Sequence, residues 1–271
     1  MTFDDDRSAR PVRPAPVPQR RSPFAITAIV LGALVLAAIA TANIWTEVVW
    51  YDHLGFTEVW RTQWLARIVL FTIAALGAGL VIWLNLWIAK RVRPARTGGR
   101  SQLDQIREQI APLERLAMIV LPLVIGLVVG LAVSSQWETV LAWLNHEQFG
   151  TEDPQFGLDA SFYVFTLPVM RLGVTLVLAL AVLAALISAF VHLLYGGIAG
   201  TGRTFVASKG ARIQLAVLGA TVMIAIAANY WLDRFGLLTS SNDLFYGASY
   251  TDVNAILPSR SILAGIAIVV A

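Results

Sequence analysis

The sequence predicts an all-α polytopic integral membrane protein with five full transmembrane helices, a truncated sixth and interfacial helices between them. Three observations predict it. Of the 271 residues, 57% are hydrophobic and only 14% charged, about half the charge of an ordinary soluble domain, and mean hydropathy is +0.69. Five apolar runs reach the roughly 20 residues a helix needs to cross a bilayer. Basic residues cluster between alternate runs rather than along one face. Hydrocarbon offers backbone N–H and C=O groups no partners, so apolar runs of that length are read as helices.

Taken in order, residues 1–22 carry Pro11, Pro14, Pro16 and Pro18 and are read as a disordered cytoplasmic tail. Residues 23–271 form the helical transmembrane domain, expected to be incomplete at its C-terminus. Ala40-Thr41-Ala42 resembles a signal-peptidase site. The run leading to it, from Phe24, is longer than a usual signal h-region, so Phe24–Trp45 is read as an uncleaved first span. Ile68–Ala89, Leu116–Ser134, Leu172–Leu194 and Ile213–Leu232 are the next four. A sixth begins near Ser261, and its apolar stretch to Ala271 is about half a span.

The connecting segments carry weaker signals. Thr46 to Trp64 is apolar but broken at Gly55, and Val49, Trp50, Leu54, Val59 and Trp60 fit short helices on the membrane surface. Ser101 to Leu113 puts Leu103, Ile106 and Ile110 on one helical face, with Ser101 and Asp104 as a capping box. An interfacial helix is expected there. Trp137 to Leu144 fits one short surface helix. Asp153 to Asp159 is rich in turn formers, and Ser161 to Phe165 reads as strand-like.

Orientation follows from the basic residues. Fifteen of the 20 Lys and Arg lie in the tail, after span 2 or after span 4; only Arg61, Arg67, Arg171, Arg234 and Arg260 lie on the other side, with 11 of the 17 acids. The N-terminus is therefore expected in the cytoplasm and the acidic loops outside, in the plasma membrane. Seven of the nine Trp mark the outer boundary, and Trp83 and Trp87 the inner end of span 2. No β-barrel pattern or fixed-period repeat is visible.

Chemistry is sparse. The absence of Cys excludes disulfides, thiolate metal sites and Cys nucleophiles. The net charge of +3 does not form a basic face, so no nucleic-acid partner is expected. Gly197 to Thr204 has the spacing of a phosphate-binding loop, with Arg203 in place of Lys, but a membrane helix leads into it and a flexible turn is the simpler reading. Glu152, Asp153 and Asp159 lack calcium-loop spacing and are read as a solvated turn or as acids bonded to backbone N–H groups. His53, His146 and His192 are far apart and show no metal spacing. Asn43, Asn85 and Asn229 lie near span ends, Arg67 snorkels, and no span has a central charge, which speaks against an ion-coupled carrier. Gly126 and Gly130, a turn after Pro122, form a close-packing pair, equally suited to contact within the chain or between two chains. No catalytic, cofactor-binding or metal-binding residue is assigned, and no cofactor.

Three motifs go further. They are Asp153-Pro154-x-Phe156-Gly157-x-Asp159-x-Ser161-Phe162-Tyr163-Val164-Phe165-x-Leu167-Pro168, Tyr246-Gly247-Ala248-x-Tyr250-Thr251-Asp252-Val253-Asn254-Ala255-x-Leu257-Pro258, and Trp50-Tyr51-x-x-Leu54-Gly55-Phe56-x-x-Val59-Trp60. Together they resemble the bacterial membrane family known as uncharacterised protein family 0182, over residues 24 to 271. The resemblance implies seven membrane helices followed by a large extracytoplasmic region, this chain being the N-terminal part. It supplies no catalytic or ligand residues. Asn254 stands where the family pattern commonly has His.

The expected function is a non-enzymatic membrane anchor or assembly platform for an extracytoplasmic region or protein partner, because the distinctive residues lie in outer loops. Its other partner is the lipid bilayer. The alternative is a channel or transporter subunit with the outer motifs at its mouth and Asn43, Asn85 and Asn229 along its path.

Overall fold

A computed structural model describes residues 23–93, 102–201, 204–240 and 246–271. The tail at 1–22 and the capping box at Ser101 fall outside the described residues. The helices are α1 (Pro23–His53), α2 (Thr57–Arg91), α3 (Gln102–Ser134), α4 (Trp137–Leu144), α5 (Leu167–Leu194), α6 (Lys209–Gly236) and α7 (Leu257–Val270). Strands β1 (Ile198–Thr201) and β2 (Thr204–Ala207) pair antiparallel between α5 and α6. Among the described residues six helical segments are long and apolar enough to cross a membrane. The architecture is that of a polytopic all-α membrane protein.

The chain divides into two compact units, Met1–Arg61 and Thr62–Ala271. In the first, α1 runs unbroken to His53 and α2 resumes at Thr57. The separate surface helices expected across Thr46 to Trp64 are not formed. Gly55, in the left-handed region at φ +74°, is the one breaker in that stretch, and the long helices run up to it on either side although Val, Trp, Tyr and Thr are only modest helix formers.

The second unit is packed in the manner of a membrane bundle. Its interior is built from small residues: Ala78, Ala89, Ala181, Ala184, Ala211, Ala225, Ala227, Ala264 and Ala267 are all buried. Its large apolar side chains point outward, Leu186 and Phe190 each 64% exposed and Val217 61%. In water that distribution would expose a greasy surface; against lipid tails it leaves little to gain from burying Leu, and close backbone approach decides the packing instead. Ile82 and Leu86 of α2, Ala184 of α5 and Leu218 of α6 form the central cluster, with Leu121 and Ile125 of α3 packed on it.

Four further expectations need correction. Ser161 to Phe165 is not strand-like: Phe162–Thr166 is a π-helical turn running into α5. Of the residues that suggest a strand, Phe162 packs against Phe235 of α6 and Phe165 against Phe149 and His146, while Val164 is exposed. Gly197 to Thr204 is not a flexible turn but spans a hairpin, Ile198 pairing with Ala207. The segment 102–113 is not a separate interfacial helix; α3 continues through it into the span. The sixth run starts not near Ser261 but at Asp252, giving a 19-residue candidate span to Val270.

Candidate functional site

The most specific motif folds into the loop between α4 and α5, and its two acids organise it. The Asp153 carboxylate accepts the backbone N–H groups of Gln155 (2.9 Å) and Phe156 (2.6 Å) on one oxygen. Its other oxygen accepts the Leu158 N–H (2.9 Å) and the Tyr163 hydroxyl (2.7 Å). Pro154 fixes the turn that begins there, and Gly157, at φ +65°, closes it in a conformation other residues resist. The Asp159 carboxylate accepts N–H groups from Phe149 (3.0 Å), Gly150 (2.8 Å) and Ser161 (2.8 Å). Both acids are thus bonded to backbone donors, as one of the two sequence readings had it.

The electrostatics agree. Burial pushes the Asp153 pKa up, but the Tyr163 hydroxyl and the N–H groups of Phe156, Leu158 and Gln155 outweigh it and hold the carboxyl below its ordinary range. Asp159 is held lower still, chiefly by its bonds to Ser161 and Phe149. A carboxylate that accepts several N–H bonds stays ionised and has little capacity left for a metal or a substrate. Among the described residues no group of three His, Cys, Asp or Glu side chains is placed to hold a metal ion.

The loop is docked by rings. Phe156 and Phe162 lie against Phe235 of α6, with centroids 4.9 and 5.2 Å apart. The second motif lies in the segment that follows α6 and uses a related device. The Asp252 carboxylate accepts the Ser249 N–H (2.8 Å) while the Ser249 hydroxyl accepts the Asp252 N–H (3.2 Å), a reciprocal cap. Both motifs then enter their spans alike: a π turn, Phe162–Thr166 or Asp252–Ile256, followed by Leu167-Pro168 or Leu257-Pro258. Proline lacks an N–H and crowds the carbonyl four residues back, so a wider turn ahead of it relieves the clash. Tyr246, three residues before this second cap, and Tyr250, within it, are 92% and 83% exposed.

At the opposite ends of the spans sits a polar centre that the sequence reading missed. Gln214 of α6 donates its amide N–H to the Asn85 carbonyl (2.9 Å) and to the Ser188 hydroxyl (3.1 Å). Its oxygen then faces His192 Nε2 at 2.9 Å and can only accept, so His192 carries its proton on Nε2. Ser188 and His192 are completely or almost completely buried. Gln214→Leu should leave these groups unpaired and cost about 2–3 kcal/mol, read as a lower thermal midpoint in detergent. Nearby, Glu114 is bound by Lys90 (3.1 Å), by Arg93 through both its oxygens and by the Tyr195 hydroxyl (3.1 Å), with the Arg93 guanidinium 3.4 Å above the Tyr195 ring centroid. Burial raises the Glu114 pKa, but the Arg93 and Lys90 bonds more than offset it and lower it overall.

Other candidates stay apart. His146 bonds the Trp143 carbonyl at 2.5 Å and does not join His192, and His53 lies in the first unit. Of the three asparagines Asn85 is bonded into the polar cluster; Asn43 is exposed on α1 and Asn229 lies on α6. Arg67 lies over the rings of Trp64 and Trp137 at 5.8 and 5.3 Å. The glycine pair works within the chain: a Cβ on Gly126 would come within 2.6 Å of the Ala75 carbonyl oxygen on α2.

Comparison with known proteins completes the picture. The model of the uncharacterised protein family UPF0182 matches residues 24–271. A UPF0182 protein of Clavibacter sepedonicus is 42% identical over 97% of this chain and 27% of its own length. One from Arthrobacter sp. is 40% identical over 97% of this chain and 26% of its own. One from Corynebacterium glutamicum is 40% identical over 95% and 27%. The chain therefore spans about a quarter of the length of the curated relatives it matches. No solved structure matches.

Proposed function

From the premise that this chain belongs to the uncharacterised protein family UPF0182, we propose that it is a non-enzymatic, multi-pass platform in the plasma membrane that orients an extracytoplasmic region or protein partner. The observation that carries the reading is the pairing of hydrogen-bonded loops with exposed aromatics. Tyr246 and Tyr250 stand 92% and 83% exposed beside a reciprocal Ser249–Asp252 cap that fixes the backbone carrying them. Exposed aromatics on a rigid support make low-entropy anchors for a partner. The acids of the first loop, already bonded, support its shape rather than a reaction. The positive-inside distribution supports a cytoplasmic N-terminus and these loops outside.

Tyr246→Ser with Tyr250→Ser, in the full-length protein, should loosen the outer region, measured as faster protease cleavage outside the membrane on intact cells. Insertion and the thermal midpoint of the spans should not change. Unaltered protease sensitivity would remove the support for a platform.

A channel or transporter subunit is the second reading, favoured by the cluster of buried Gln214, His192 and Ser188 with half-buried Asn85 across three helices. Asn85→Cys should then react with a small polar thiol reagent; full protection would count against a water path.

A further inference from the structure

Only five basic residues lie on the acidic side of the spans in the sequence, and three of them meet in one place. Arg171 of α5 approaches the Asp233 carboxylate at 3.6 Å. Arg260 of α7 donates to the Asp233 backbone carbonyl. Arg234 of α6 lies 4.0 Å above the Trp231 ring centroid. Arg171 and Arg260 thus converge on Asp233, one at its carboxylate and one at its backbone carbonyl, and Arg234 follows it in sequence, so among the described residues one carboxylate lies close to the three cations; Asp252 lies within electrostatic reach of Arg260 but its carboxylate is bonded to the Ser249 N–H. The Nε atoms of Arg171 and Arg234 are buried and have no hydrogen-bond partner among the described residues. An unpaired guanidinium N–H away from water is costly, so among the described residues the cluster is short of acceptors.

The same three helices enclose an apolar groove of about 700 Å³, lined by Met170, Gly173, Thr221, Trp231, Ala264 and Ile268. Trp231 and Ile268 are more than half exposed, so the groove opens sideways. Its upper end lies under the arginines: Arg171 follows Met170, Arg260 precedes Ala264 by one helical turn, and Arg234 stacks on Trp231. A cationic cluster capping an apolar slot matches one chemistry, a phosphate headgroup with an acyl chain below it. Guanidinium forks bind phosphate oxygens in pairs, and basic pockets between transmembrane helices hold anionic headgroups.

We propose that the α5–α6–α7 groove is a binding site for an anionic phospholipid of the surrounding leaflet, with its phosphate on Arg171, Arg234 and Arg260 and an acyl chain along Trp231 and Ile268. The test reconstitutes the full-length protein in bilayers of equal phosphatidylglycerol and phosphatidylcholine and counts, by native mass spectrometry, the lipids that stay bound. The expected result is selective retention of phosphatidylglycerol. Arg171→Gln with Arg260→Gln should lower that selectivity at least about tenfold. Gly173→Phe, which fills the groove and leaves the arginines in place, should lower it as well. Lys90→Gln with Arg91→Gln, at the other end of the spans, should not. Retention of both lipids in the bulk ratio would overturn the proposal, because the cluster would then be filled by the protein's own acceptors or by water. Selectivity lost with the arginines but kept in Gly173→Phe would also overturn it, because the anion bound would need no acyl chain.

Discussion

Replacing Asp153 by Asn should dismantle the loop between α4 and α5. The carboxylate accepts four donors, three backbone N–H groups and the Tyr163 hydroxyl. The amide keeps one acceptor oxygen and turns an NH₂ group toward the remaining donors. Bonds to charged acceptors contribute about 1.5–3 kcal/mol each, and partial exposure of the site reduces the sum, so an overall cost of about 2–4 kcal/mol is expected. Limited proteolysis should show it as new cleavage within 153–158. The pH dependence follows from the direction of the shifts. Asp153 and Asp159 are both held below the ordinary aspartate range. A carboxyl group with a depressed folded pKa stabilises the fold at pH above its unfolded pKa and loses that contribution as pH falls through the folded value. The loop should therefore resist cleavage from neutral pH down to about 4, and open only below it.

The second large effect lies in the membrane. A side chain at Gly126 has nowhere to go: its Cβ would sit 2.6 Å from the Ala75 carbonyl oxygen, and one at Gly130 2.9 Å from the Ala75 Cβ and the Phe71 ring. Backbone cannot rotate aside as a flexible side chain does, so α2 and α3 must separate. Gly126→Leu should cost about 3 kcal/mol and lower the thermal midpoint in detergent. Gly77 on α2, where an added Cβ meets nothing, provides the control: Gly77→Ala should be neutral or raise stability by up to about 1 kcal/mol. Loss of stability in both variants would mean that glycine matters here for reasons other than the α2–α3 seam.

The spans were readable because the bilayer imposes one strong rule on sequence, about 20 apolar residues per crossing. That rule is local, so Ile68–Ala89 and Leu116–Ser134 fall inside observed helices. It says little about where a helix extends beyond the hydrocarbon, and α1 and α2 both overran their apolar runs until Gly55 stopped them. The π turns were invisible for a different reason. Phe162 to Phe165 has strand propensity, and what overrides it is tertiary: Phe162 packs edge-to-face with Phe235, Tyr163 bonds Asp153, and Pro168 follows. Gln214 was overlooked because it sits at the edge of its apolar run, and its partners Asn85 and Ser188 are 129 and 26 residues away. The arginine cluster was counted but not assembled. Arg171, Arg234 and Arg260 were each visible as rare basic residues on the acidic side, yet their meeting depends on how α5, α6 and α7 pack. The acids of the first motif were the reverse case, since Asp before Pro and a following Gly already implies a side chain bonded to its own turn.

On the proposed platform reading, the exposed Tyr246 and Tyr250 contact a polypeptide outside the membrane. The most direct measurement places a photoreactive phenylalanine analogue at Tyr246 in the full-length protein and irradiates intact cells. The platform reading predicts a discrete crosslink to an extracytoplasmic polypeptide, whether the protein's own outer region or a separate partner. Irradiation that yields only lipid adducts or uncrosslinked protein would contradict it.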